Sequence, residues 1–219
     1  MFVADWMTKQ VVTVVPDDSV SHALRAMREK GFKHLPVVRD GAVLGVISDR
    51  DIKDFSPSPA TGLDIHEINY LLAKAKVKDA MAKRLVTTTA DTPVEQAALV
   101  LFEKNIGCLP VVDGDVLVGI LTDRDVFRAL VDITGVRHGG HRICVTIADA
   151  PGTIRAVADI VRRHGFGLRG ILTSYEGMPK GFRQLVIRTD VAGDVNALQV
   201  DLKAAYPAVT INLQGTTTA

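Results

Sequence analysis

The sequence lacks several features that mark specialised classes of protein. Its 219 residues include only two cysteines, Cys108 and Cys144, too few for a disulfide framework or a four-cysteine zinc site. Basic and acidic residues almost balance, 26 against 25, so the clustered positive charge that binds a phosphate backbone is missing. Seven Phe, three Tyr and one Trp offer little for stacking bases. We therefore expect no nucleic-acid partner.

Long apolar runs are missing as well. Stretches such as 97–102 and 116–121 fall far short of the roughly 18 residues that a membrane-spanning helix needs. The first six residues, MFVADW, contain no basic segment leading into an apolar stretch. The composition, 47% hydrophobic and 23% charged, is that of an ordinary folded protein. These features predict a soluble, cytoplasmic protein with no membrane partner, folded as one large domain or as two or three small ones.

What the sequence does contain is an internal repeat at an offset of 74 residues. Aligning residues 5–54 with 79–128 gives 18 identities in 50 positions without a gap, where average composition gives roughly three by chance. The tetrapeptide 35–38 (LPVV) recurs at 109–112, and Gly45 aligns with Gly119. The tripeptide 49–51 (DRD) recurs at 123–125. The chain therefore carries a duplicated unit of about 50 residues.

Each copy predicts the order strand, helix, strand, strand, helix. The predicted elements of the first copy are a strand over 11–15, a helix over 22–30 capped by Asp18 or Ser19, a strand ending at 36–38, a turn at 40–41 and a strand over 43–47. Those of the second copy are a strand over 86–89, a helix beginning at Pro93, a strand over the second LPVV, a turn at 113–114 and a strand over 116–121. A unit this small buries its sheet poorly, so we expect the two copies to pack together.

The segments outside the repeat have their own patterns. Breaker residues over 55–62 predict a loop, and 64–73 predicts a short helix with Ile65, Ile68, Leu71 and Leu72 directed inward. The glycine-rich stretch 135–140 predicts a domain boundary. Beyond it, the predicted order is strand 142–148, turn 149–152, helix 153–164, strands 166–174 and 182–189, helix 194–205 and strand 209–213, with a frayed tail over 215–219. This β-α-β-β-α-β order is ferredoxin-like.

Two equivalent tetrapeptides are the strongest candidates for a binding site. Ser48 and Asp51, and likewise Thr122 and Asp125, are spaced three apart where a helix is predicted to begin. This spacing is typical of a capping box, in which hydroxyl and carboxylate satisfy the first backbone amides of the helix. The same pair can bind both hydroxyls of a ribose, with a phosphate near the helix N-terminus. Spacing alone leaves both interpretations open.

The two copies resemble CBS motifs, and the pair resembles a Bateman module, the tandem that forms ligand clefts between its halves. The resemblance is carried by the LPVV segments, by Gly45 and Gly119, and by the tetrapeptides 48–51 and 122–125. The turn 149–152 (DAPG) between the next strand and helix resembles that of an ACT domain. The whole order resembles the acetoin-utilisation protein B family. It implies an α+β fold with two pseudo-symmetric CBS motifs (1–62 and 63–136), followed by an ACT domain (141–215).

The resemblance also implies which residues contact a ligand. Ribose is expected at Ser48 and Asp51 in one cleft and at Thr122 and Asp125 in the other. Adenine is expected against the backbone of the partner copy, at Val86 and Thr87 or at Val12 and Thr13. The residues just before the Leu-Pro pairs often meet phosphates in the family: here they are Lys33 and His34 in the first copy, and Gly107 and Cys108 in the second. Pro36 and Pro110 of the same pairs are also expected to contact the nucleotide.

The two clefts are expected to differ. Lys33 and His34 can donate to an anion, whereas Gly107 and Cys108 cannot do so as cations, so one cleft is expected to bind phosphate more weakly, stay empty or take an uncharged ligand. Arg50 and Arg124 are further phosphate candidates, or else solvated arginines at helix starts. Pseudo-symmetry places His34 and Cys108 at equivalent positions, but a buried apolar cysteine is commoner than a metal ligand, so no metal is expected.

These features predict a regulatory sensor of an adenine nucleotide, AMP or ATP, without catalytic activity, because no nucleophile elbow, phosphate-binding loop or triad is evident. We expect a homodimer that acts on an unknown regulated protein. Ligand-biased rotation of the CBS halves would pass through Gly139 and Gly140. In the C-terminal domain, Asp149, Pro151 and Gly152 form either an amino-acid-binding turn or a plain turn. A constitutive dimeric scaffold without nucleotide is the alternative, and an enzyme of acetoin metabolism is a third possibility.

Overall fold

The chain divides into two compact units, Met1–Phe127 and Arg128–Ala219, which are described separately. The structure is a computed structural model and describes residues 1–57, 62 and 64–212. Residues 58–61 of the predicted loop over 55–62, and the whole predicted tail over 215–219, lie outside the described residues. The domain limits drawn from the sequence, 1–62, 63–136 and 141–215, stay predictions.

The N-terminal unit follows the repeated order of the sequence. Its helices are α1 (Val3–Trp6), α2 (Val20–Lys30), α3 (Asp49–Phe55), α4 (Ile65–Lys74), α5 (Val77–Ala80) and α6 (Val94–Lys104). Its strands are β1 (His34–Arg39), β2 (Ala42–Ser48), β3 (Cys108–Asp113) and β4 (Val116–Thr122), after which α7 (Asp123–Ile133) begins. Ser19 caps α2 as predicted, because its side chain accepts a hydrogen bond from the amide of His22. Helix α6 begins directly after Pro93.

The four strands form one sheet in the order β1-β2-β4-β3. Each copy contributes an antiparallel hairpin, and the two hairpins pair only at Ala42 and Val116. The first hairpin turns at Asp40 and Gly41, whose φ angles of 53° and 85° are those of a tight two-residue turn. The predicted hairpins are therefore confirmed, and a single antiparallel contact between the turns joins the copies within the sheet.

The predicted first strand of each copy is wrong in extent. Within 11–15 only Val14 pairs with a strand, in parallel with Val37, and in the second copy only Thr88 pairs, with Val111. In a parallel ladder the next hydrogen bond would run from the amide of Pro36 to the carbonyl of Val12, and proline has no amide hydrogen. Pro110 removes the corresponding donor in the second copy. The prolines of the two LPVV segments thus end the ladder after one bridge.

Helix α4, which lies between the copies in the sequence, buries fewer apolar side chains than predicted. Asp64 caps α4, and its side chain accepts hydrogen bonds from the amides of His66 and Glu67. Leu72 is buried as predicted, but Ile65 and Leu71 are 64% and 44% exposed. The prediction of an inward direction is therefore wrong for these two residues, because α4 packs on the core of the first copy along only one narrow stripe.

The two copies exchange their leading segments. The core around Val20, Leu35 and Ile47 of the first copy includes Val77 from α5. The core around Leu109 and its neighbours in the second copy includes Val3, Trp6 and Met7 from the start of the chain. Each copy therefore completes its hydrophobic core with a helix that precedes the other copy in the sequence.

The C-terminal unit has its own sheet and core. After a short 3-10 helix (Val136–His138), its elements are β5 (Arg142–Ala148), α8 (Thr153–Arg163), β6 (Leu168–Ser174), β7 (Phe182–Thr189), α9 (Val195–Ala205) and β8 (Thr210–Asn212). The sheet is antiparallel in the order β6-β7-β5-β8, so the strand order counted within this unit is second, third, first, fourth. The element order is the predicted ferredoxin-like one. Residue 213, the predicted end of the last strand, lies outside the described residues.

Alternation along β5 defines the inner face of this sheet. Ile143, Val145 and Ile147 are buried against α8 and α9, with Leu185 and Ile187 of β7 beside them. Cys144 points to the opposite face and is partly exposed. The interpretation of Cys144 as a core residue is therefore wrong, since β-strand periodicity places it away from the helices. No helix in the part of the chain that the structure describes is long and apolar enough to cross a membrane.

Candidate functional site

The tetrapeptide at the start of α3 forms a complete capping box. The backbone amide and the hydroxyl of Ser48 donate to Oδ2 of Asp51, at 2.8 and 2.6 Å. The amide of Asp51 donates to Oγ of Ser48 at 3.1 Å. All of these bonds to the carboxylate use one oxygen, and Oδ1 of Asp51 has no hydrogen-bond partner among the described residues. The capping and ligand interpretations are thus compatible, because each requires a different oxygen of the same carboxylate.

The second copy repeats this geometry at the start of α7. The amide and hydroxyl of Thr122 donate to Oδ2 of Asp125 at 2.9 and 2.7 Å, and the amide of Asp125 donates back to Thr122 at 3.3 Å. Asp125 is buried, whereas Asp51 is only partly buried. The sequence duplication is therefore a duplication of side-chain geometry, but the two carboxylates differ in their access to solvent.

The hairpin register brings the proposed phosphate residues beside the caps. His34 at the start of β1 lies opposite Ser48 at the end of β2. In the second copy, Cys108 lies opposite Thr122. Antiparallel pairing therefore places the residue before each Leu-Pro pair next to the hydroxyl of each capping box, although 14 positions separate them in the chain.

These residues line a cavity of about 750 Å³ between the two copies. Eight of the residues singled out from the sequence line it, namely Lys33, His34, Ser48, Arg50, Asp51, Val86, Gly107 and Cys108. The first copy supplies the capping box and the cations, and the second copy supplies the segment around Val86 and the loop before β3. A volume of this size lies within the usual range of small-molecule sites.

The backbone near Val86 is shaped by the proline of the second LPVV segment. Thr88 donates to the carbonyl of Pro110 at 3.0 Å and accepts from Val112, which fixes the extended segment beside β3. Two residues earlier the ladder stops, because Pro110 has no amide hydrogen to donate to the carbonyl of Val86. Val86 therefore lines the cavity without the ladder bond that a non-proline residue would have made.

Charges of both signs line the cavity. The cations are Lys33, Arg50, Lys53 and Arg84, and the carboxylates are Asp49, Asp51, Asp54 and Asp123. Lys53 forms an ion pair with Asp49 at 3.5 Å. The other three cations form no ion pair with any residue that the structure describes. The cavity therefore offers cations for an anionic group and carboxylate oxygens for hydroxyl groups.

Two groups of the cavity have a perturbed pKa. Burial lowers the pKa of His34, and the carboxylates of Asp123, Asp49 and Asp51 oppose that effect. Burial, with the negative charges of Asp123 and Asp51, raises the pKa of the Cys108 thiol to about 12. Around neutral pH the imidazole therefore favours its uncharged form and the thiol stays protonated.

The remaining predicted residues lie outside this cavity. Thr122, Arg124 and Asp125 lie at the equivalent position of the second copy, and Val12 and Thr13 lie in the extended segment that leads to Val14. Thr87 is exposed next to Val86 and does not line the cavity. Pro36 and Pro110 are buried within β1 and β3, where their carbonyls accept from Val14 and Thr88. Ligand contact by these residues stays a prediction.

Sequence reasoning missed part of the lining. Arg84 and Leu85 precede Val86 directly, and Asn105 and Ile106 precede Gly107. A usable signal was present, because each pair adjoins a residue that the family resemblance had already selected. Asn105 ends α6 in a left-handed conformation, with φ of 51°, which turns the chain toward the cavity wall. Asp123 was missed because it belongs to the second copy, whereas the capping box at this cavity belongs to the first.

Among the residues that the structure describes, no group of three or more His, Cys, Asp or Glu side chains is arranged to hold a metal ion. His34 and Cys108 both line the cavity, and the imidazole of His34 lies against Gly107.

The predicted turn of the C-terminal unit is tied to its sheet. Asp149 forms an ion pair with Arg183 at 3.5 Å and accepts from the hydroxyl of Tyr175 at 3.4 Å. Arg183 also donates to Thr153, the first residue of α8, at 3.5 Å. Pro151 and Gly152 are exposed, and Gly152 has φ of 83°, which favours glycine. Binding of an amino acid at this turn stays a prediction.

The duplicated sheet, the twin capping boxes and the intervening cavity define a paired-repeat module. The family model for the CBS domain matches residues 3–58 and 77–132, together just over half of the chain. The chain therefore belongs to the CBS domain family, and its two motifs form a Bateman module.

Relatives of known sequence or structure match the same region. The uncharacterised protein MJ1225 of Methanocaldococcus jannaschii is 35% identical over 131 residues, which cover 57% of this chain and 47% of that protein. The chain thus spans about half the length of this curated relative. An acetoin utilization protein (AcuB) of Vibrio cholerae superposes with a TM-score of 0.52 at 25% identity, covering 63% of this chain and 96% of that one. The CBS domain pair of protein MJ0100, in complex with 5-methylthioadenosine and S-adenosylmethionine, superposes with a TM-score of 0.50 at 26% identity, covering 59% and 99%.

Proposed function

We propose that this protein is a regulatory sensor that binds an adenine nucleotide, AMP or ATP, in the cleft between its CBS motifs. The observation that carries the proposal is that the two carboxylate oxygens of Asp51 have different surroundings. One carboxylate oxygen completes the helix cap, and the other, which has no partner among the described residues, lies at the wall of a cavity large enough for a small molecule. A carboxylate oxygen in this position can accept hydrogen bonds from the hydroxyl groups of a ribose.

The rest of a nucleotide has matching groups along the same cavity. Adenine lies against the backbone at Val86, where the proline of β3 has removed a ladder donor. The phosphates lie near Lys33, Arg50 and Arg84, the cations without an ion-pair partner among the described residues. The complex of the MJ0100 domain pair supports an adenosine-bearing ligand, since both of its ligands contain adenosine.

The second cleft, at Thr122 and Asp125, binds phosphate more weakly in this proposal. Its counterparts of Lys33 and His34 are Gly107 and Cys108, neither of which supplies a cation. Burial of Asp125 also reduces the access of its carboxylate. A nucleoside or an uncharged adenosine compound at Val12 and Thr13 is the ligand that these residues favour.

The bound state is transmitted by rotation of one CBS motif against the other, through Gly139 and Gly140, to an ACT domain formed by the C-terminal unit. The regulated protein is unknown. A homodimer is part of the proposal, and exposed apolar side chains on the N-terminal unit support it: Leu99 and Phe102 on α6 are 53% and 84% exposed. Sedimentation of the wild type and of Phe102→Ser tests this part, because a concentration-independent monomer would contradict it.

Calorimetric titration tests the ligand assignment. The full chain, stripped of nucleotide, is titrated in turn with AMP, ATP, NAD and S-adenosylmethionine. AMP or ATP is expected to bind with one or two sites per chain. Asp51→Asn is expected to weaken binding by about tenfold or more, because the amide keeps an oxygen for the cap but presents a donor to the ribose.

A matched control is Asp49→Asn. It removes the same charge from the same cavity, but Asp49 is paired with Lys53 and has no part in the cap. Unchanged affinity of Asp51→Asn, or an equal loss in both variants, would contradict the ribose assignment. Failure of every adenosine compound to bind would favour the alternative of a dimeric scaffold whose function lies in its exposed helix surfaces.

A further inference from the structure

His34 reaches across the cleft from one copy to the other. It begins β1 in the first copy, and its ring lies against Gly107 in the loop before β3 of the second copy. A Cβ built on Gly107 would lie 2.6 Å from Nε2 and 2.7 Å from Cε1 of the imidazole. A side chain at position 107 would displace the ring from this position, so His34 and Gly107 form one close contact in the wall of the cavity.

Every element around the ring contributes a charged or titratable group. Lys33 precedes it, Asp49 and Asp51 lie in the first turn of α3, Cys108 begins β3, and Asp123 begins α7. The three carboxylates favour the imidazolium, whereas burial and Lys33 oppose it, and burial is the largest effect. The Cys108 thiol, whose pKa is about 12, remains neutral. The ring is thus uncharged at neutral pH. A further negative charge beside it would favour the protonated form over the neutral one.

On the basis of the proposed function, we propose that His34 takes up a proton when a phosphate enters the cleft, and so distinguishes phosphorylated from unphosphorylated adenosine compounds. The proton comes from the solvent and forms an N–H bond on the imidazole, and no covalent bond of the ligand changes. The imidazolium then donates to a phosphate oxygen. Adenosine brings no negative charge and leaves His34 neutral. The second cleft has Cys108 at this position and takes up no proton.

The direction of the pH dependence follows from the two states of His34. Its pKa is lowered in the free protein and raised in the complex with a phosphate. Between these two pKa values, binding of AMP takes up a proton, so the affinity for AMP increases as the pH falls through this window. Below the pKa of the free protein the ring is already charged, and this gain ends. The affinity for adenosine is independent of pH over the same range.

Calorimetry in buffers of different ionisation enthalpy measures the proton directly. The nucleotide-stripped full chain is titrated with AMP and with adenosine at about pH 7.5 in Tris, HEPES and PIPES, where the phosphate of AMP is mostly dianionic since its second pKa is about 6. For AMP, the observed heat is expected to vary with buffer and to report uptake of a fraction of one proton, which is largest between the two pKa values of His34 and declines again below the pKa of the free protein. For adenosine, no such variation is expected.

Two variants separate the proton from the positive charge. His34→Gln is expected to abolish the buffer dependence of the heat and to lower the affinity for AMP by about tenfold, with little effect on the affinity for adenosine. Lys33→Gln is expected to lower the affinity for AMP as well but to keep the proton uptake, because lysine is charged both in the free protein and in the complex. The wild-type buffer series is informative even if a variant does not fold, and a histidine Cε1–H signal that titrates at higher pH with AMP is the matching NMR signature.

Binding of AMP without buffer-dependent heat would overturn the inference and leave the proposed function intact, as would proton uptake that persists in His34→Gln. If the wild type binds neither AMP nor adenosine, the proposed function fails and this inference fails with it.

Discussion

Gly45 of β2 lies directly against the backbone of Ala82: a Cβ on Gly45 would be 2.7 Å from the carbonyl oxygen of Ala82. The amide of Ala82 donates to the carbonyl of Val46 at 2.9 Å, so the segment leading into the second copy runs along β2 of the first. The equivalent glycine, Gly119, lies against Met7 and Thr8, which lead into the first copy. The repeated glycine is therefore explained by the passage of one copy's leading segment over the strand of the other.

The two glycines are expected to tolerate alanine differently. At Gly45 the obstructing atom is a backbone oxygen, so Gly45→Ala is expected to lower the free energy of unfolding by about 1–3 kcal/mol. At Gly119 the nearest atom is the flexible Sδ of Met7 at 2.5 Å, and the backbone oxygen of Thr8 is farther away at 3.2 Å. Gly119→Ala is therefore expected to cost less. Urea unfolding of both variants measures the difference, and equal costs would contradict this explanation.

Exchange of the leading helices predicts that the first residues of the chain stabilise the second copy. Val3 is fully buried in the core around Leu109, whereas its neighbour Phe2 is 52% exposed. Val3→Ala is expected to cost about 1–3 kcal/mol, from the lost methyl groups and the cavity they leave. Phe2→Ala is the control and is expected to cost much less. If amide exchange in Val3→Ala became faster only near β1 and β2, the exchange of helices would be wrong.

The two cysteines are expected to react at very different rates. Cys108 is 5% exposed, and its pKa of about 12 leaves almost no thiolate at pH 8. Cys144 lies on the outer face of its sheet and is partly exposed. With a disulfide reagent, Cys144→Ser, which retains Cys108, is expected to react about a thousandfold more slowly than an exposed thiol. Cys108→Ser is expected to react faster, and both are expected to react rapidly once unfolded in guanidinium.

The exposed ion pair of Asp17 with Lys78 predicts a pH-dependent contribution to stability. Lys78 donates to Asp17 at 2.7 Å. This hydrogen bond and the positive charge of Lys78 lower the pKa of Asp17, and the same hydrogen bond and the negative charge of Asp17 raise the pKa of Lys78. The contribution is therefore present above the ordinary pKa of an aspartate and is lost as the pH falls through the lowered value. It is also lost in alkali, as the pH rises through the raised pKa of Lys78.

The measurement is the difference in Tm between wild type and Asp17→Asn as the pH is lowered from about 7 to about 3. The difference is expected to shrink in acid and in high salt. In a Lys78→Gln background it is expected to be smaller but not absent, because Arg39 also forms an ion pair with Asp17, at 3.3 Å. A difference that stays constant in acid would show that the carboxylate contributes through something other than its charge.

Local patterns in the sequence predicted much of the fold. Helix caps at Ser19, Ser48 and Asp64 depend on residues within a few positions of each other, so they are readable from the chain alone. The hairpin turn at Asp40 and Gly41 is equally local. The duplication predicted that both capping boxes share one geometry, and the hydrogen bonds confirm it.

Predictions that depended on distant partners were less accurate. The stretch 11–15 has strand composition, yet Pro36 limits it to a single bridge, a restriction imposed from another element. Ile65 and Leu71 belong to an amphipathic pattern, but only a stripe of α4 meets the core of the first copy. Arg84 and Asp123 belong to the second copy and line the cavity because the first copy packs beside them. No short-range sequence pattern marks either residue.

The sequence by itself determined the repeat, its local elements and the chemical groups of the candidate site, because these depend on residue type and short-range spacing. Tertiary structure alone decided which copy each leading helix completes and that His34 lies against Gly107. Such relationships join residues far apart in the chain, and they are fixed by packing of the whole N-terminal unit, where close contact leaves room for one arrangement only.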